Sequence, residues 1–550
     1  MKKIASIVLL SLWTITRISA QDVIEIVYSG TGANVNVPGN ITDVVSTVKG
    51  ADVTITSNTT SKEYTYQVKG TSTDGSLTIN GDYKLTLQLA GVSLTNAHGG
   101  AAIHVECGKR IAVELVDGTT NTLSDAALGS QKAALYFRGH VEFKGGGTLN
   151  VTGNLKHAIS AKEYIELKSS TGIINVLGAV GDGIHCGKGK VNNEYNYFKM
   201  KGGIVNIINV NGDGIDSDDY GVILIDGGAI SLNIGEDASG LKADSTVTIK
   251  DGEVNISVAG NDSKGIRANH TVNLLGGKTT IIAEGNGTKG IKAKRDENNA
   301  TVLNGGYLNI GGGELSVQCA GGNLPSESGT TKCVAVSVDA DLQQTAGDVT
   351  ITAIGSEALA CTVNGSETHK GGTFNIRQIP WSVKTNECQY DMSVYVAVKA
   401  DDAMLTDYSG IIVGAFIDDV CKGYSIFSEP GYGIIRVKSN DTSAKAITFK
   451  IYNYELGDEI IPAVSKAVTF QSDAVEGTPG NPIVLSYNSP LLGDANNDNK
   501  VDAADIVEIA NAMVGKSSST YKEKLADVNH DDVVNIADII QIINIIMANK

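Results

Sequence analysis

Apolar and polar residues alternate in short runs through most of the chain, and these runs recur at a regular interval. Residues 227–251 read GGAISLNIGEDASGLKADSTVTIKD and residues 252–276 read GEVNISVAGNDSKGIRANHTVNLLG, so the two segments match almost position for position. Alternation with a period of two is typical of strands, whose side chains point to opposite faces. The pattern therefore predicts several short strands in each unit and no helix.

Looser copies of this unit extend in both directions along the chain. Each copy is marked by a central aliphatic residue: Ile103, Leu135, Ile159, Ile184, Ile215, Leu241, Ile266 and Ile291. A repeat of roughly 25 residues, made of short strands with glycine at the corners, is what a parallel β-helix requires. Successive coils stack about 4.8 Å apart, so equivalent side chains form columns.

The segments GLKA, GIRA and GIKA occupy equivalent positions in three successive units. Alternation sends the aliphatic residue and the alanine inward and the cation outward. We therefore expect one outward row: His104, Tyr136, Ser160, His185, Asp216, Lys242, Arg267 and Lys292. Stacked cations repel one another unless an acidic group lies between them.

Two sources could supply that acidic group. Neighbouring carboxylates, such as Asp237, Asp244 and Asp262, could neutralise the cations from within the protein. Alternatively, the row could face the uronate groups of an acidic polysaccharide, whose sugar repeat of roughly 4 to 5 Å is commensurate with the strand spacing.

The repeat becomes irregular after Lys292 and fades near residue 380. We expect a β-helix over residues 21–384, in which residues 21–80 lack the corner motif and cap the first coil. Residues 385–488 contain alternating segments such as GIIVGAFIDDVCKG and AITFKIYNY, which predict an antiparallel β-sandwich. This stretch resembles the immunoglobulin-like modules of secreted bacterial proteins, which implies a spacer.

The first twenty residues, MKKIASIVLLSLWTITRISA, place two lysines before an apolar run and end on small residues. This layout is typical of a cleaved signal peptide, so we expect the mature chain to begin near Gln21. No later stretch approaches the about 18 apolar residues of a membrane helix. The sequence predicts an exported, soluble protein without membrane insertion.

Composition supports a chain of short strands and an acidic surface. The 550 residues include 64 glycines, only 8 prolines and 5% aromatic residues, which suits tight turns between strands. The net charge of -17 argues against a nucleic-acid partner and favours calcium. The seven cysteines lack metal-ligand spacing, so we interpret them as small core residues.

Several segments carry a family resemblance: DYKLTLQLAGVSLTNAHGGAAIHV, DGTTNTLSD, KGGGTLNVTGNLKHAI, GDGIHC and NGDGIDSDD. Over residues 70–380 the chain resembles the carbohydrate-binding β-helix proteins of cellulose-degrading clostridia, which look like pectate lyases in fold. The resemblance implies a right-handed coil, bound calcium, and binding of cellulose or polygalacturonate without demonstrated cleavage.

Aspartates are concentrated in NGDGIDSDDY, at residues 211–220. Asp213, Asp216 and Asp218 lie at one turn, and Asp182 is expected one coil earlier. Because Ca²⁺ takes six to eight oxygen ligands at about 2.4 Å, these four carboxylates are candidate calcium ligands. The alternative is that they are solvated aspartates that favour turns.

Candidate sugar contacts are the cations Lys242, Arg267 and Lys292, with His185 in the same row. The insertion VNNEYNYFKM at 191–200 adds Tyr195 and Tyr197, whose rings can stack on a sugar or clamp the loop's own hydrophobic edge. Flat cellulose surfaces call for coplanar aromatic side chains. The only tryptophan after the signal peptide is Trp381, at the edge of the repeat, so acidic pectin is favoured over cellulose.

A catalytic alternative also fits this composition. Pectate lyases combine calcium with a lysine or arginine that removes the C5 proton of the sugar, and Lys242 or Arg267 could take that role. A base must be deprotonated and within hydrogen-bond reach of bound sugar, which is demanding for arginine. We assign no catalytic residue.

Near the C-terminus, DANNDNKVDAAD at 494–505 and DVNHDDVVNIAD at 527–538 place oxygen ligands at loop positions 1, 3, 5, 9 and 12, with a backbone carbonyl at position 7. The predicted Ca²⁺ ligands are Asp494, Asn496, Asp498, Lys500, Asp502 and Asp505, then Asp527, Asn529, Asp531, Val533, Asn535 and Asp538. Asn499 and Asp532 stand at position 6, where a left-handed residue is needed.

Each loop runs into an amphipathic helix, and no helix precedes the first loop. This duplicated loop-helix resembles a type I dockerin over residues 491–550. The resemblance implies docking onto a cohesin module through a helix face and the pairs Ala503-Ala504 and Ile536-Ala537.

Taken together, we expect a secreted, non-catalytic, calcium-dependent protein that binds plant cell-wall polysaccharide and is tethered by its dockerin to a cohesin-bearing complex, either free outside the cell or on a cell-surface scaffold. The alternatives are a calcium-dependent pectate lyase and a structural or adhesive protein.

Overall fold

A computed structural model of the chain describes residues 23–187, 197–295, 304–327, 329–355, 357–381, 383, 388–406, 408, 410–425, 431–454, 457–529, 531 and 533–548. The chain divides into two compact units: one runs to Ala353 and includes Glu357–Ile376, and the other holds Ile354–Ser356 and continues from Arg377. The predicted signal peptide lies outside the described residues. None of the helices described is long and apolar enough to cross a membrane.

The first unit is a stack of coils whose strands form three columns, here called sheets 1, 2 and 3. Sheet 1 carries the repeated motif and consists of Val44–Lys49, Asp52–Ser57, Ser76–Gly81, Ile103–Glu106, Ala133–Phe137, His157–Ala161, Ile184–Cys186, Ile215–Ser217, Ser239–Ala243, Lys264–Ala268, Lys289–Ala293, Val334–Val338 and Leu359–Val363. Apart from the antiparallel first pair, neighbouring strands in this sheet are parallel.

Sheets 2 and 3 complete each coil. Sheet 2 consists of Ile111–Leu115, Val141–Lys144, Ile165–Leu167, Tyr197–Met200, Val222–Ile225, Thr246–Ile249, Thr271–Leu274, Tyr307–Ile310, Leu342–Gln344 and Glu367–His369. Sheet 3 consists of Val23–Ser29, Gly32–Asn36, Thr65–Ser72, Thr120–Ser124, Thr148–Gly153, Ile173–Ala179, Ile204–Val210, Ala229–Ile234, Glu253–Val258, Lys278–Ala283, Glu314–Cys319, Asp348–Ile354 and Thr373–Ile379. The long strand Leu85–Thr95 pairs in both sheets. The predicted parallel β-helix is confirmed.

The interior is a ladder of aliphatic side chains. Leu241, Ile266 and Ile291 are fully buried and stand opposite one another in register. This arrangement confirms the inward placement predicted from alternation in the GLKA, GIRA and GIKA segments.

The motif requires glycine for a reason other than the expected corner conformation. Neither Gly240 nor Gly265 has a positive φ, so the backbone conformation at these positions does not require glycine. A Cβ on Gly240 would lie 2.6 Å from the carbonyl oxygen of Gly265 and 2.8 Å from the side chain of Ile256. Glycine therefore lets successive coils and the core of sheet 3 approach closely.

Antiparallel pairing closes the N-terminal end, where Val23–Ser29 pairs with Gly32–Asn36. Parallel stacking already begins in this region, because Val23–Ser29 also pairs with Thr65–Ser72. The unit further contains a hairpin of Leu324–Ser326 and Gly329–Thr331, inserted between two coils.

The second unit contains two packed β-sheets. One consists of Tyr390–Ala400, Ala403–Met404, Gly433–Ser439, Ala463–Val464, Val475–Glu476 and Ile483–Tyr487, and the other of Ile411–Ile417, Val420–Ser425, Ala446–Asn453, Asp458–Ile460 and Val468–Thr469. Most pairs are antiparallel, as expected for a sandwich, but Tyr390–Ala400 pairs in parallel with Ile483–Tyr487 and Val475–Glu476. Trp381 is buried edge-on against Phe416, with ring centroids 5.3 Å apart, so it is not an exposed sugar platform.

The C-terminal segment of this unit is helical, with Ala503–Met513, Glu523–Ala526 and Ile536–Ala548. Ile509 and Ile542 are fully buried and bring the two longer helices together over Ala526. The short middle helix was not predicted, since four residues carry no helical periodicity.

Candidate functional site

The strand register places the outward residues of sheet 1 in one column. Successive partners along this row are His104, Tyr136, Ser160, His185, Asp216, Lys242, Arg267, Lys292 and Ser337. The row changes character along its length. It begins with aromatic rings, passes through an acidic centre and ends in cations.

At the acidic centre, the ammonium of Lys242 lies between two carboxylates. Its Nζ is 2.9 Å from Oδ2 of Asp213 and 3.1 Å from Oδ1 of Asp216, while Oδ1 of Asp218 is 4.0 Å away. Burial alone would lower the pKa of Lys242, but the charges of Asp213 and Asp216 outweigh burial and raise the pKa. Lys242 is therefore held in its protonated form.

His185 supplies a second positive charge to the same cluster. Its Nδ1 lies 3.0 Å from Oδ2 of Asp182 and 3.1 Å from Oδ2 of Asp216. Burial opposes the charge on the ring, but the hydrogen bonds to Asp182 and Asp216 raise the pKa of His185 to about 9. The imidazole is therefore an imidazolium at neutral pH.

His157 lies against His185 but stays neutral. The two rings stack with centroids 4.3 Å apart and planes 5° apart. The Nδ1 of His157 accepts a hydrogen bond from the backbone N–H of Asp182, so its 3.1 Å contact with the Asp182 carboxylate is not also a hydrogen bond. Burial lowers the pKa of His157. Because its Nδ1 lone pair is already used, that atom is not a free metal ligand.

The structure brings together the four aspartates predicted to bind calcium. Oxygens of Asp182, Asp213 and Asp216 lie within 4.8 Å of one another, and Asp218 shares a similar cluster with Asp216 and His185. When all groups are ionised, the four carboxylates carry four negative charges, and Lys242 and His185 carry two positive charges. The cluster then has a net charge of two negative charges. Burial and the charge of Asp216 raise the pKa of Asp218, as expected for crowded carboxylates. The donor set is compatible with a divalent cation but is already partly neutralised by protein cations.

One oxygen of this cluster lacks a hydrogen bond. Asp216 is 3% exposed, and its Oδ1 has no hydrogen-bond partner among the residues described, although it lies within ion-pair distance of Lys242. The Lys242 ammonium is thus close enough to this oxygen for an ion pair but is not aligned with it for a hydrogen bond. The oxygen can therefore accept a further cationic or donor ligand.

The cationic end of the row differs from the centre. Lys292 pairs with Asp339 and lies 3.3 Å from the hydroxyl of Ser337. Arg267, between Lys242 and Lys292 in register, is half-buried and forms no salt bridge with any carboxylate that the structure describes. It is the member of the cation row whose charge is not neutralised by such a pair.

Two further lysines, which the sequence analysis missed, reinforce this positive end. The Nζ of Lys264 is 3.0 Å from Oδ1 of Asp262. The Nζ of Lys289 donates to the backbone carbonyls of Gly287 and Lys332, at 3.1 and 3.3 Å. Burial, followed by the charge of Lys264, lowers the pKa of Lys289. The sequence does contain a pattern that could have identified them, because one lysine directly precedes GIRA, another directly precedes GIKA, and the two lysines are 25 residues apart.

None of the three proposed neutralisers forms a described salt bridge with Lys242, Arg267 or Lys292: Asp262 pairs with Lys264, whereas Asp244 interacts with Lys242 and Arg267 only electrostatically, at longer range. Asp244 accepts hydrogen bonds from the backbone of Asp219 and from Asn269, at 2.9 and 3.2 Å. No salt bridge of Asp237 is found among the residues described. Instead, Asp213 and Asp216 neutralise Lys242, and Asp339 neutralises Lys292. The sequence analysis did not identify these pairs because the aspartates are far from the motif in sequence.

Of the predicted aromatic contacts, Tyr197 lies on sheet 2 and not on the outward row of sheet 1. Tyr197 stacks on Tyr164 with centroids 4.3 Å apart and planes 10° apart, so one face of its ring is covered. Tyr195 lies outside the described residues. Tyr220, which the sequence analysis did not single out, is 64% exposed next to the aspartate cluster and has a positive φ of 61°. Such a conformation is uncommon for a tyrosine.

The two C-terminal loops fold around buried carboxylates. In the first, Asp494 accepts the backbone N–H groups of Asp498 and Asn499, at 2.9 and 2.7 Å, and Asp505 accepts those of Asn496 and Asp502, at 3.1 and 2.8 Å. Asn499 has a φ of 65°, the left-handed conformation expected at position 6. Asp532, at the same position of the second loop, lies outside the described residues.

The second loop repeats this arrangement. Asp538 accepts the backbone N–H groups of Val528, Asn529 and Asn535, at 2.9, 3.2 and 2.9 Å, and Asp527 accepts that of Asp531 at 3.2 Å. The remaining predicted ligands, Lys500, Asp502 and Val533, lie in the same loops.

The charge in these loops also fits a cation. Asp494, Asp505 and Asp538 are buried, and no lysine or arginine that the structure describes forms a salt bridge with them. Burial and the charges of Asp494 and Asp498 raise the pKa of Asp505. Dense buried oxygen ligands without a protein counter-ion are a donor set suited to Ca²⁺.

The C-terminal helices expose apolar residues. Val507, Ile536, Ile540 and Met547 are all more than half exposed, and the pairs Ala503-Ala504 and Ile536-Ala537 lie on the surface. These exposed apolar side chains are candidates for contact with a partner.

Comparison with known proteins identifies two segments. Residues 49–264 match the family model described as carbohydrate-binding domain-containing protein, and residues 492–547 match the type I dockerin domain. Both resemblances read from the sequence are confirmed: the chain carries a segment of this carbohydrate-binding family and a C-terminal type I dockerin.

Two individual proteins are similar to parts of the chain. A curated carbohydrate-binding domain-containing protein from Acetivibrio thermocellus is 30% identical over 121 residues, which are 20% of this chain and 41% of that relative. A solved structure, described as the polysaccharide lyase-like protein from C. thermocellum in a gadolinium derivative, is 19% identical and covers 65% of this chain and 99% of its own, with a TM-score of 0.27. That TM-score supports no conclusion about this chain.

Proposed function

We propose that the chain is a secreted, non-catalytic protein that binds an acidic plant cell-wall polysaccharide along sheet 1. The carrying observation is Arg267, which stands between two cations in register and forms no salt bridge with a described carboxylate. A guanidinium presents a planar fork that suits a carboxylate. Asp244 is close enough to interact electrostatically with Arg267 but forms no salt bridge with it, so a uronate could still pair directly with the guanidinium. The match to a carbohydrate-binding family supports this assignment.

Polygalacturonate is favoured over cellulose as the ligand. Trp381 is buried, and the ring of Tyr197 is covered on one face by Tyr164. At the cationic end, Arg267 and Lys289 form no salt bridge with a described carboxylate, whereas Lys264 is paired with Asp262. The cationic end is therefore better suited to binding an anionic polysaccharide, whereas neutral crystalline cellulose would require a flat aromatic platform.

The contacts of Lys242 argue against the lyase alternative. A general base must be deprotonated near the working pH, but the aspartates raise the pKa of Lys242 and occupy its ammonium. Arg267 is no better suited as a base, because a guanidinium stays charged in proteins. The site is therefore better suited to binding a carboxylate than to removing a proton.

Calcium is proposed in two places. Each dockerin loop would hold one Ca²⁺ through its side-chain oxygens and the carbonyl at position 7, and the ion would fix the loop against its helix. In sheet 1, Asp182, Asp213, Asp216 and Asp218 would hold a further Ca²⁺, where the two uncompensated charges of the cluster support a divalent ion.

The dockerin would tether the chain to a cohesin-bearing scaffold outside the cell, through the exposed apolar residues of its two helices. Residues 1–20 would direct export, the β-helix would bind polysaccharide, and the sandwich would act as a spacer.

The test is affinity electrophoresis of the full chain in gels with polygalacturonate, with soluble cellulose derivative, or without polysaccharide, each with calcium and with EDTA. Calcium-dependent retardation in polygalacturonate alone supports the proposal. Equal migration in all gels favours the structural or adhesive alternative.

A further inference from the structure

A groove lies at the aromatic end of the outward row of sheet 1. It encloses about 510 Å³ and is lined by the loop His98–Ala101, by His104 and Glu106, by the loop Gly129–Lys132, and by Tyr136. His104 and Tyr136 are the first members of the row that continues to Arg267. The groove and the cationic end therefore face the same side of the same sheet.

The walls of the groove are fixed by one side chain. The Oε1 of Gln131 accepts the backbone N–H of Gly100 at 3.2 Å, and its Nε2 donates to Asp125 Oδ2 and to the carbonyl of Ala126, both at 3.0 Å. A Cβ on Gly129 would lie 2.4 Å from this Oε1, and Gly129 has a φ of 108°. The two loops are thus cross-linked, and the groove is preformed.

The floor combines aromatic rings with polar groups. The rings of Tyr136 and His104 meet edge to face, with centroids 5.0 Å apart at 84°. Glu106 accepts from Nε2 of His104 at 3.0 Å and pairs with Arg138 at 3.2 Å, so its charge is neutralised. Lys132 is exposed at the rim. An amphipathic ring with hydroxyl groups, such as a sugar, fits a site with an aromatic wall and polar neighbours.

The strand register sets the distance to the cationic end. Five strand steps separate Tyr136 from Arg267. At about 4.8 Å per step they span about 24 Å, and a polysaccharide that advances roughly 4 to 5 Å per sugar covers that distance with about five to six sugars.

From this geometry we infer that the Tyr136 groove is a second sugar-binding subsite for the same polysaccharide chain whose uronates meet Arg267. This inference rests on the proposed function. A chain long enough to reach both sites gains affinity because the second contact is intramolecular, whereas a short oligomer occupies only one site.

The experiment is calorimetric titration of the full-length protein with galacturonate oligomers of about three and about eight sugars. We expect the octamer to bind about tenfold more tightly than the trimer. Tyr136→Ala should remove this difference by lowering octamer affinity, because one ring contact contributes up to about tenfold. Tyr136→Phe should keep the difference, and Tyr432→Ala, in the second unit, serves as the control.

The outcomes separate the inference from the proposal on which it rests. Equal affinity for trimer and octamer in the unmodified protein, or an unchanged difference in Tyr136→Ala, overturns the second subsite alone. Failure of both oligomers to bind overturns the proposed polygalacturonate function and the subsite together.

A separate observation concerns two buried thiols. The Sγ atoms of Cys319 and Cys333 lie 3.2 Å apart, and both residues are fully buried. Cys319 ends a strand of sheet 3, and Cys333 directly precedes a strand of sheet 1, so the pair spans the insertion that carries the hairpin Leu324–Ser326 with Gly329–Thr331.

The geometry assigns this pair as a disulfide site that closes the insertion. Two thiols would lose two protons and two electrons to a disulfide oxidant, which is reduced to two thiols as the Sγ–Sγ bond forms. The full chain is incubated with oxidised glutathione, alkylated without reductant, digested with trypsin and analysed by mass spectrometry. Cleavage after Lys332 separates the peptides 296–332 and 333–370, so a cross-link between them identifies the bond.

Alkylation of Cys361 in the same peptide is the internal control, since it has no described thiol neighbour. The expected result is a linked peptide pair that is lost in Cys319→Ser. Complete alkylation of Cys319 and Cys333 after oxidation overturns the assignment.

Discussion

The Nζ of Lys242 lies 2.9 Å from the Oδ2 of Asp213, one coil away in the stack. This pair sits in the middle of the outward row and separates two kinds of surface. On one side the acidic cluster is partly neutralised by Lys242 and His185, and on the other Arg267 forms no salt bridge with a described carboxylate.

Removing the Lys242 ammonium should destabilise the β-helix. Lys242→Met leaves the buried Asp216 and the partly buried Asp213 without their ammonium partner, and because the pair is not fully buried the free energy of unfolding should fall by up to about 3 kcal/mol. The free energy of unfolding of the β-helix transition, followed by circular dichroism, measures this loss. Lys278→Met is the control, because its pair with Glu314 is exposed and should contribute less than about 1 kcal/mol. Equal effects of the two substitutions would contradict the account.

The raised pKa of His185 predicts a pH dependence of stability. Because the folded state holds this proton up to about pH 9, against a usual pKa of 6.5, the stabilisation is complete below pH 6.5 and is lost as the pH rises through 9. The melting temperature of the β-helix should therefore fall between these values. In His185→Gln this part of the fall should vanish, and a variant with the unchanged pH profile would show that His185 does not carry the proton.

Calcium should order the dockerin. Asp505→Asn and Asp538→Asn each remove one charge from a buried ligand that the structure leaves without a described salt bridge, so calcium affinity should fall about tenfold or more. Calorimetric titration of EDTA-treated protein measures the binding, and cohesin capture reports its consequence. Glu523→Gln, outside both loops, is the control. Unchanged calcium affinity in both variants would remove the loops from the proposed ligand set.

The binder and lyase interpretations differ in what happens to the polymer. With calcium and polygalacturonate, the protein should produce no unsaturated sugar ends, because Lys242 is protonated and paired. Ultraviolet absorbance of the reaction mixture follows these ends over time, with a pectate lyase as positive control. A steady increase that is abolished in Lys242→Ala would establish the lyase instead.

The fold was largely predictable because its cause is periodic. Alternation fixed the inward position of Leu241 and Ile266, and the 25-residue interval fixed their stacking. The dockerin was equally accessible, since its ligands are spaced along one short segment. In both cases the information is local in sequence.

The site was less predictable because its partners come from different coils. Asp339 neutralises Lys292 from 47 residues away, and His157 reaches Asp182 across 25 residues. The 47-residue separation of Lys292 and Asp339 does not match the repeat, because an insertion lies between them, and the 25-residue interval between His157 and Asp182 predicts stacking but not which atoms meet. Tyr220 was missed for another reason: it follows Asp219 as a second consecutive left-handed residue, and that conformation is uncommon for a tyrosine.

The central claim is that Arg267 receives a uronate, and affinity electrophoresis in polygalacturonate tests it most directly. The unmodified protein and Lys278→Ala, which removes one exposed cation on sheet 3, should be retarded equally, while Arg267→Ala should lose most of the retardation and Arg267→Lys should keep part of it. If Arg267→Ala migrates as the unmodified protein does in the polysaccharide gel, the claim is contradicted.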